Sequence, residues 1–171
     1  YWELEEAKLR RMPPEKELVG KVALITGAAG GIGSATAKKF LSEGCCVILT
    51  DIDKKSLNNK QNELSELYGK DMVHSILMDV TNEQDVKRAV SKSINSFGGI
   101  DILVANAGFA SAALFEKTSS KLWDKNMDIL SKGCFLISRE VYQKMIEQKN
   151  GGSIIFVSSK NSLNASKGAS A

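Results

Sequence analysis

From residue 22 onward the apolar positions of this chain follow two alternating rhythms. Short continuous runs rich in Val, Ile, Leu and Ala occupy residues 22–26, 46–51, 72–78, 101–105 and 153–158. Longer stretches between them carry apolar residues every three or four positions, the helical period. Residues 31–42 can place Ile32, Ala35, Ala37, Phe40 and Leu41 on one face, and residues 54–68 predict a largely polar helix. Thr81 and Gln84, three positions apart, read as a capping box opening a helix with Val86, Ala89, Val90, Ile94 and Phe97 in phase. Gly98-Gly99 ends it. The last helix, residues 120–148, has too many apolar positions for one stripe: Ile129, Leu130, Phe135, Leu136, Ile137, Val141, Met145 and Ile146. Such a helix is expected to be covered on two sides, by its own sheet and by another helix or subunit. Continuous strands separated by helices predict a parallel sheet with helices on both faces. The fold class is α/β, a doubly wound three-layer sandwich.

One loop changes the picture from architecture to chemistry. Thr26-Gly27-Ala28-Ala29-Gly30-Gly31-Ile32-Gly33 follows the first strand and opens the first helix of the sheet. Glycines there permit a sharp turn and close approach of a pyrophosphate to free N–H groups at a helix N-terminus, where the dipole favours negative charge. Asp51 ends the next strand, eighteen positions after Gly33. An acidic side chain at about that spacing is what a dinucleotide site uses to hold ribose hydroxyls. The fold is therefore of the Rossmann type and the expected cofactor is a dinucleotide.

Composition bounds the alternatives. With 171 residues and 43% hydrophobic content the chain can bury one sizeable core. The formal charge of +3 is small, with acidic and basic residues interspersed, which speaks against a nucleic-acid footprint. No apolar run is long enough to suggest a membrane span or a signal peptide. Cys45, Cys46 and Cys134 have no metal-ligand spacing; reduced thiols and a cytoplasmic location are expected, and no metal site. Residues 1–12 read as an amphipathic helix stopped by Pro13-Pro14, so residues 1–20 are expected to be a helix and linker and residues 21–171 one NAD-binding domain. The chain begins with Tyr1 and ends in a loop pattern, so that domain is expected to be incomplete after its fifth strand.

Across residues 21–171 these motifs resemble the short-chain dehydrogenase/reductase family: Thr26-Gly27-x-x-x-Gly31-Ile32-Gly33, Asp51, Asp79-Val80, Asn106-Ala107-Gly108 and Ser158-Ser159. The resemblance implies that Gly27, Ala29, Gly31 and Gly33 admit the cofactor, with Ile32 packing near its nicotinamide side. Asp51 would hold both adenosine ribose hydroxyls and repel a 2′-phosphate, favouring NAD over NADP. Asp79 and Val80 would meet the adenine, with a turn-capping carboxylate as the alternative for Asp79. Asn106 would tie down the sheet, while Ala107 and Gly108 leave room for the nicotinamide ribose. Ser159 is the catalytic candidate; the family pairs it with a Tyr thirteen positions on and a Lys four further, and that Tyr would fall just past Ala171. Lys160, Asn161 and Lys167 do not fit those roles. A cofactor-binding module without turnover is therefore the second reading, since no acid/base stands beside Ser159 in this sequence.

Leu130 stands where the family has a proton-relaying Asn, and Asn126 lies one helical turn earlier, either as a substitute or as an exposed helix residue. Residues 109–115 are candidates for part of the substrate pocket and are equally readable as loop packing. The segments 1–9, 13–18, 128–133, 138–140 and 158–161 look like the C-terminal dehydrogenase half of bifunctional rhamnulose-1-phosphate aldolase/lactaldehyde dehydrogenases. This narrower resemblance implies an upstream aldolase domain, a role in rhamnose metabolism and oxidation of a small sugar-derived aldehyde or hydroxy compound such as lactaldehyde. A homo-oligomer through residues 120–148 is the expected assembly.

Overall fold

The computed structural model describes residues 2–11, 16–109, 111 and 113–162, with backbone alone at 7–11 and 162. The Pro13-Pro14 break and Lys167 lie outside the described residues. Helix α1 (Trp2–Arg11) precedes the alternating core: β1 (Val22–Thr26), α2 (Gly31–Ser42), β2 (Cys46–Asp51), α3 (Lys54–Tyr68), β3 (Val73–Leu77), α4 (Glu83–Phe97) and β4 (Ile102–Ala105). Then follow α5 (Ser120–Asn126), a π-helical segment (Met127–Gly133), α6 (Cys134–Gln148) and β5 (Ser153–Phe156).

All four strand pairings are parallel, in the order β3-β2-β1-β4-β5. Alternation along the strands feeds two cores. Val22, Leu24 and Ile48 point to the face covered by α4 and α6, where Val86, Ala89, Val90, Leu136, Ile137 and Val141 meet them. Ile25, Val47, Leu49 and Val104 point to the other face, against Ala37 and Leu41 of α2 and Leu57 and Leu64 of α3. Burial of both strand faces explains the absence of an alternating pattern in the sequence. The chain adds β2 and β3 on one side of β1, then returns to place β4 on the other. That reversal opens a crevice above the C-terminal ends of β1 and β4, the usual place for a ligand in such sheets.

Local chemistry corrects several sequence expectations. Helix α4 is capped by Asn82, not Thr81: Asn82 Oδ1 accepts from the N–H groups of Gln84 (3.0 Å) and Asp85 (3.2 Å). Thr81 is engaged by Asp79 instead, so the three-residue spacing to Gln84 is coincidental. On α2, Ile32 and Ala35 leave the inward face, which is Gly33, Ala37 and Leu41. Strands three, four and five are each shorter than their apolar runs, and Ser158 and Ser159 lie beyond β5 rather than at its last position.

The long helix expected over residues 120–148 is interrupted by the π segment. A π turn inserts an extra residue and shifts the register of the following helix. Its apolar positions divide as their number demanded. Leu136, Ile137, Val141 and Met145 are buried, while Leu130, Phe135, Tyr142 and Ile146 are exposed in this chain. Gly133 lets the wide turn approach the segment after β3: a Cβ there would stand 2.8 Å from Val80 Cγ2. Arg139 then pins α6 to α4 through Glu83, Nη2 to Oε1 at 2.7 Å. Among the described residues no helix is long and apolar enough to cross a membrane.

The cap assignment is testable. Asn82→Ala is expected to lower unfolding free energy by about 1 kcal/mol, read by urea denaturation. Equal stability of variant and wild type would contradict it.

Candidate functional site

The crevice is organised by a hydrogen-bonded knot between the ends of β1 and β4. Thr26 is buried, and its Oγ1 accepts from the backbone N–H groups of Asn106 (2.9 Å) and Ala107 (2.8 Å). Asn106 answers with its side chain, Nδ2 donating to the carbonyls of Thr26 (2.9 Å) and Gly27 (3.1 Å). This brings the two chain segments too close for a side chain at Gly27. A Cβ there would sit 2.9 Å from Ala107 Cα, and its φ of +62° is in the region that favours glycine. Gly33 is needed for a different reason: its Cβ would fall 2.4 Å from the Gly27 carbonyl oxygen. It packs the first turn of α2 against the loop and does not line the crevice.

Gly31 differs from both. A Cβ there would meet nothing within 4 Å, and its φ is not positive. Among the described residues neither packing nor backbone conformation demands glycine at this position, and it leaves the backbone open to the crevice. The N-terminus of α2 points the same way. Helices α3, α4 and α5 are capped by the side chains of Asp53, Asn82 and Ser119, whereas α2 begins at Gly30 with no side-chain cap and no acidic residue in its first turn. Its leading N–H groups are left without a side-chain acceptor, at the end of the helix where the dipole favours negative charge.

Asp51 is fixed beside that terminus. Its Oδ2 accepts from Ala29 N (3.1 Å) and its Oδ1 from Asp53 N (3.0 Å). Each carboxylate oxygen has further lone-pair capacity for hydroxyl donors. Ala28 N bonds the Thr50 carbonyl (3.0 Å), which ties the glycine loop to β2. Thus Ala29 positions Asp51 rather than lining the crevice itself. Asp79 follows β3, and its Oδ1 accepts from both N and Oγ1 of Thr81, each at 2.8 Å. The turn-capping arrangement is present, and the residue also borders the cavity.

The cavity has a volume of about 630 Å³, within the usual range for small-molecule sites. It collects Gly27, Gly31, Ile32, Asp51, Asp79, Val80, Asn106, Ala107 and Gly108 of the residues singled out from sequence. Phe109, from the segment 109–115 expected to line part of a pocket, borders it too, whereas Ile52, Met78, Lys125 and Ile129 line it without having been singled out. A residue directly after a strand end was the available signal for Ile52. Lys125 and Ile129, four apart on one helix, could have been recognised as a shared face.

Ser159 does not line this cavity; it is exposed, and its Oγ accepts from Asn161 N at 3.3 Å. Asn126 is buried rather than exposed. Its Nδ2 donates to the Leu122 carbonyl (2.8 Å) and to Ser111 Oγ (3.4 Å), so it braces the loop after β4. Leu130 lies next to Gly108, with Cδ2 3.6 Å from where a Cβ would be. No cysteine borders the cavity. Burial pushes the Cys45 thiol up to about 12 and raises Cys46 and Cys134 as well, the opposite of an activated nucleophile.

The family model for short chain dehydrogenase matches residues 21–171. The chain belongs to the short-chain dehydrogenase family. It is 47% identical over its whole length to the uncharacterized oxidoreductase YuxG of Bacillus subtilis, of which it spans 25%. It is 42% identical over 142 residues to the 3-oxoacyl-(acyl-carrier-protein) reductase FabG of Thermotoga maritima, covering 83% of this chain and 56% of that protein. Among solved structures, an NAD+-bound xylitol dehydrogenase superposes with a TM-score of 0.85 at 32% identity, covering 90% of this chain and 58% of the other. A 3-ketoacyl-(acyl-carrier-protein) reductase from Brucella melitensis complexed with NADH gives 0.83 at 29% identity, with coverages of 90% and 63%. The chain thus spans a quarter to about three-fifths of these short-chain dehydrogenase relatives. It is an α/β chain of that family.

Two glycines of one loop should therefore respond differently. Gly33→Ala is expected to destabilise by about 1–3 kcal/mol through overpacking. Gly31→Ala, with open space and ordinary dihedrals, is expected to leave stability unchanged or raise it by up to about 1 kcal/mol. Urea unfolding of both variants checks this; similar losses at both positions would contradict the geometry.

Proposed function

We propose that this chain is the cofactor-binding part of an NAD-dependent dehydrogenase. The observation that carries the reading is Asp51, oriented by Ala29 N and Asp53 N beside an uncapped helix N-terminus. The α2 amides and Gly31 would hold the cofactor diphosphate, and Asp51 the adenosine ribose hydroxyls. Asp79 and Val80 would border the adenine, with Ile32, Ala107 and Gly108 on the nicotinamide side. A carboxylate at the ribose disfavours an additional phosphate there, so NAD is preferred to NADP. When bound, the nicotinamide supplies the acceptor for a hydride; the protein's work is positioning and proton management.

The substrate reading is a small hydroxy compound or aldehyde, sugar-derived, with lactaldehyde as the leading candidate. It is supported by the likeness of segments 1–9, 128–133 and 158–161 to the dehydrogenase half of rhamnulose-1-phosphate aldolase/lactaldehyde dehydrogenases, which would place the protein in rhamnose metabolism. That YuxG is about four times the length of this chain, on its 25% coverage, is compatible with an upstream aldolase domain. Buried thiols with raised pKa speak against a cysteine thioester, so an aldehyde would react as its hydrate. Ser159 would hold one substrate hydroxyl, acting with an acid/base outside this sequence. The relay expected of a helix Asn cannot be provided by Leu130, whose side chain neither donates nor accepts. The exposed Phe135, Tyr142 and Ile146 are compatible with a homo-oligomer through residues 120–148, in the cytoplasm.

Titration of the full-length protein with NAD tests this reading. Wild type should bind NAD more tightly than NADP, and Asp51→Ala should weaken NAD at least tenfold, the size expected for losing hydrogen bonds to a charged acceptor. Undetectable NAD binding, or an unchanged Kd in the variant, would contradict it.

A further inference from the structure

Charge around the cavity is divided between its two sides. Asp51 and Asp79 follow β2 and β3, and Lys125 of α5 is the one cation lining the cavity among the described residues. Its Nζ stands 3.9 Å from the centroid of the Phe109 ring, and it forms no ion pair among those residues. Phe109 is two positions past Ala107, whose Cα packs against Gly27. The ammonium is therefore held at the part of the cavity bordered by the segment after β4, while Asp51 ends β2.

We propose that Lys125 is a clamp for the diphosphate of the bound dinucleotide, closing over it from the side opposite the α2 amides. The inference rests on the nucleotide reading above and adds a residue to it. A diphosphate seated at Gly30 and Gly31 meets backbone N–H groups on one side only, and the carboxylates nearby oppose its charge. Lys125 is the side chain lining the cavity that can offset this. An exposed ammonium over the ring of half-buried Phe109 is weakly held and readily exchanged for a stronger, charge-assisted bond to phosphate oxygen. In the meantime the ring of Phe109 keeps a flexible side chain at the cavity mouth, which reduces the ordering cost of binding. A lysine also suits the task because its single compact charge can follow a phosphate that shifts position.

The test compares ligands with and without the diphosphate. The full-length protein, as wild type, Lys125→Met and Lys125→Arg, is titrated with ADP by calorimetry and with adenosine by NMR. In Lys125→Met, ADP should bind about tenfold more weakly while adenosine is unchanged. The ADP affinity should also lose part of its salt dependence, and Lys125→Arg should restore most of both. Unchanged ADP affinity in Lys125→Met would overturn the clamp alone. So would an equal loss for adenosine, which would place Lys125 against the base. A wild type that binds neither ligand would overturn the nucleotide reading and the clamp with it.

Discussion

The site depends on how closely β1 and β4 can be brought together at their C-terminal ends. Thr26 holds two backbone N–H groups of the opposing segment with one hydroxyl, and Asn106 returns two bonds to the carbonyls of Thr26 and Gly27. The approach excludes any side chain at Gly27 and forces the loop upward before it turns into α2. Because the first turn of α2 is packed down by Gly33, its amides emerge at the crevice rather than inside the core. A single close contact between strands thus determines where these amides are presented.

Charge placement follows from the same frame. Tying Ala28 to Thr50 and Ala29 to Asp51 makes the glycine loop and the end of β2 one unit, so the carboxylate cannot drift from the helix terminus. The positive side chain comes from the other half of the fold, on α5, where the loop after β4 is braced by buried Asn126. Opposed charges on elements placed by opposite crossovers suit an elongated ligand with a polar head at each end and charge in its middle.

Most of the architecture was legible because strands buried on both faces leave continuous apolar runs. The glycine loop was legible because its context, strand before and helix after, limits what it can do. What escaped has physical causes. Thr81 and Asn82 are both competent caps, and only the hydrogen bond from Thr81 to Asp79 decides between them. The π segment leaves no mark in the apolar rhythm, yet it interrupts the helix over Met127–Gly133 and resets the register of α6. Asn126 reads as a surface residue by type, and its burial depends on a loop partner that no local pattern announces. Ser159 was expected at the end of the fifth strand, and the structure ends that strand at Phe156, three residues earlier.

Amide hydrogen exchange of the full-length protein, with and without NAD, tests most directly whether the α2 terminus is the anion seat. Exchange is expected to slow over residues 29–34, at the loop and the first helical turn, with little change at the similarly exposed start of α3. Exchange in the glycine loop that is indifferent to saturating NAD, while protection appears elsewhere, would contradict it.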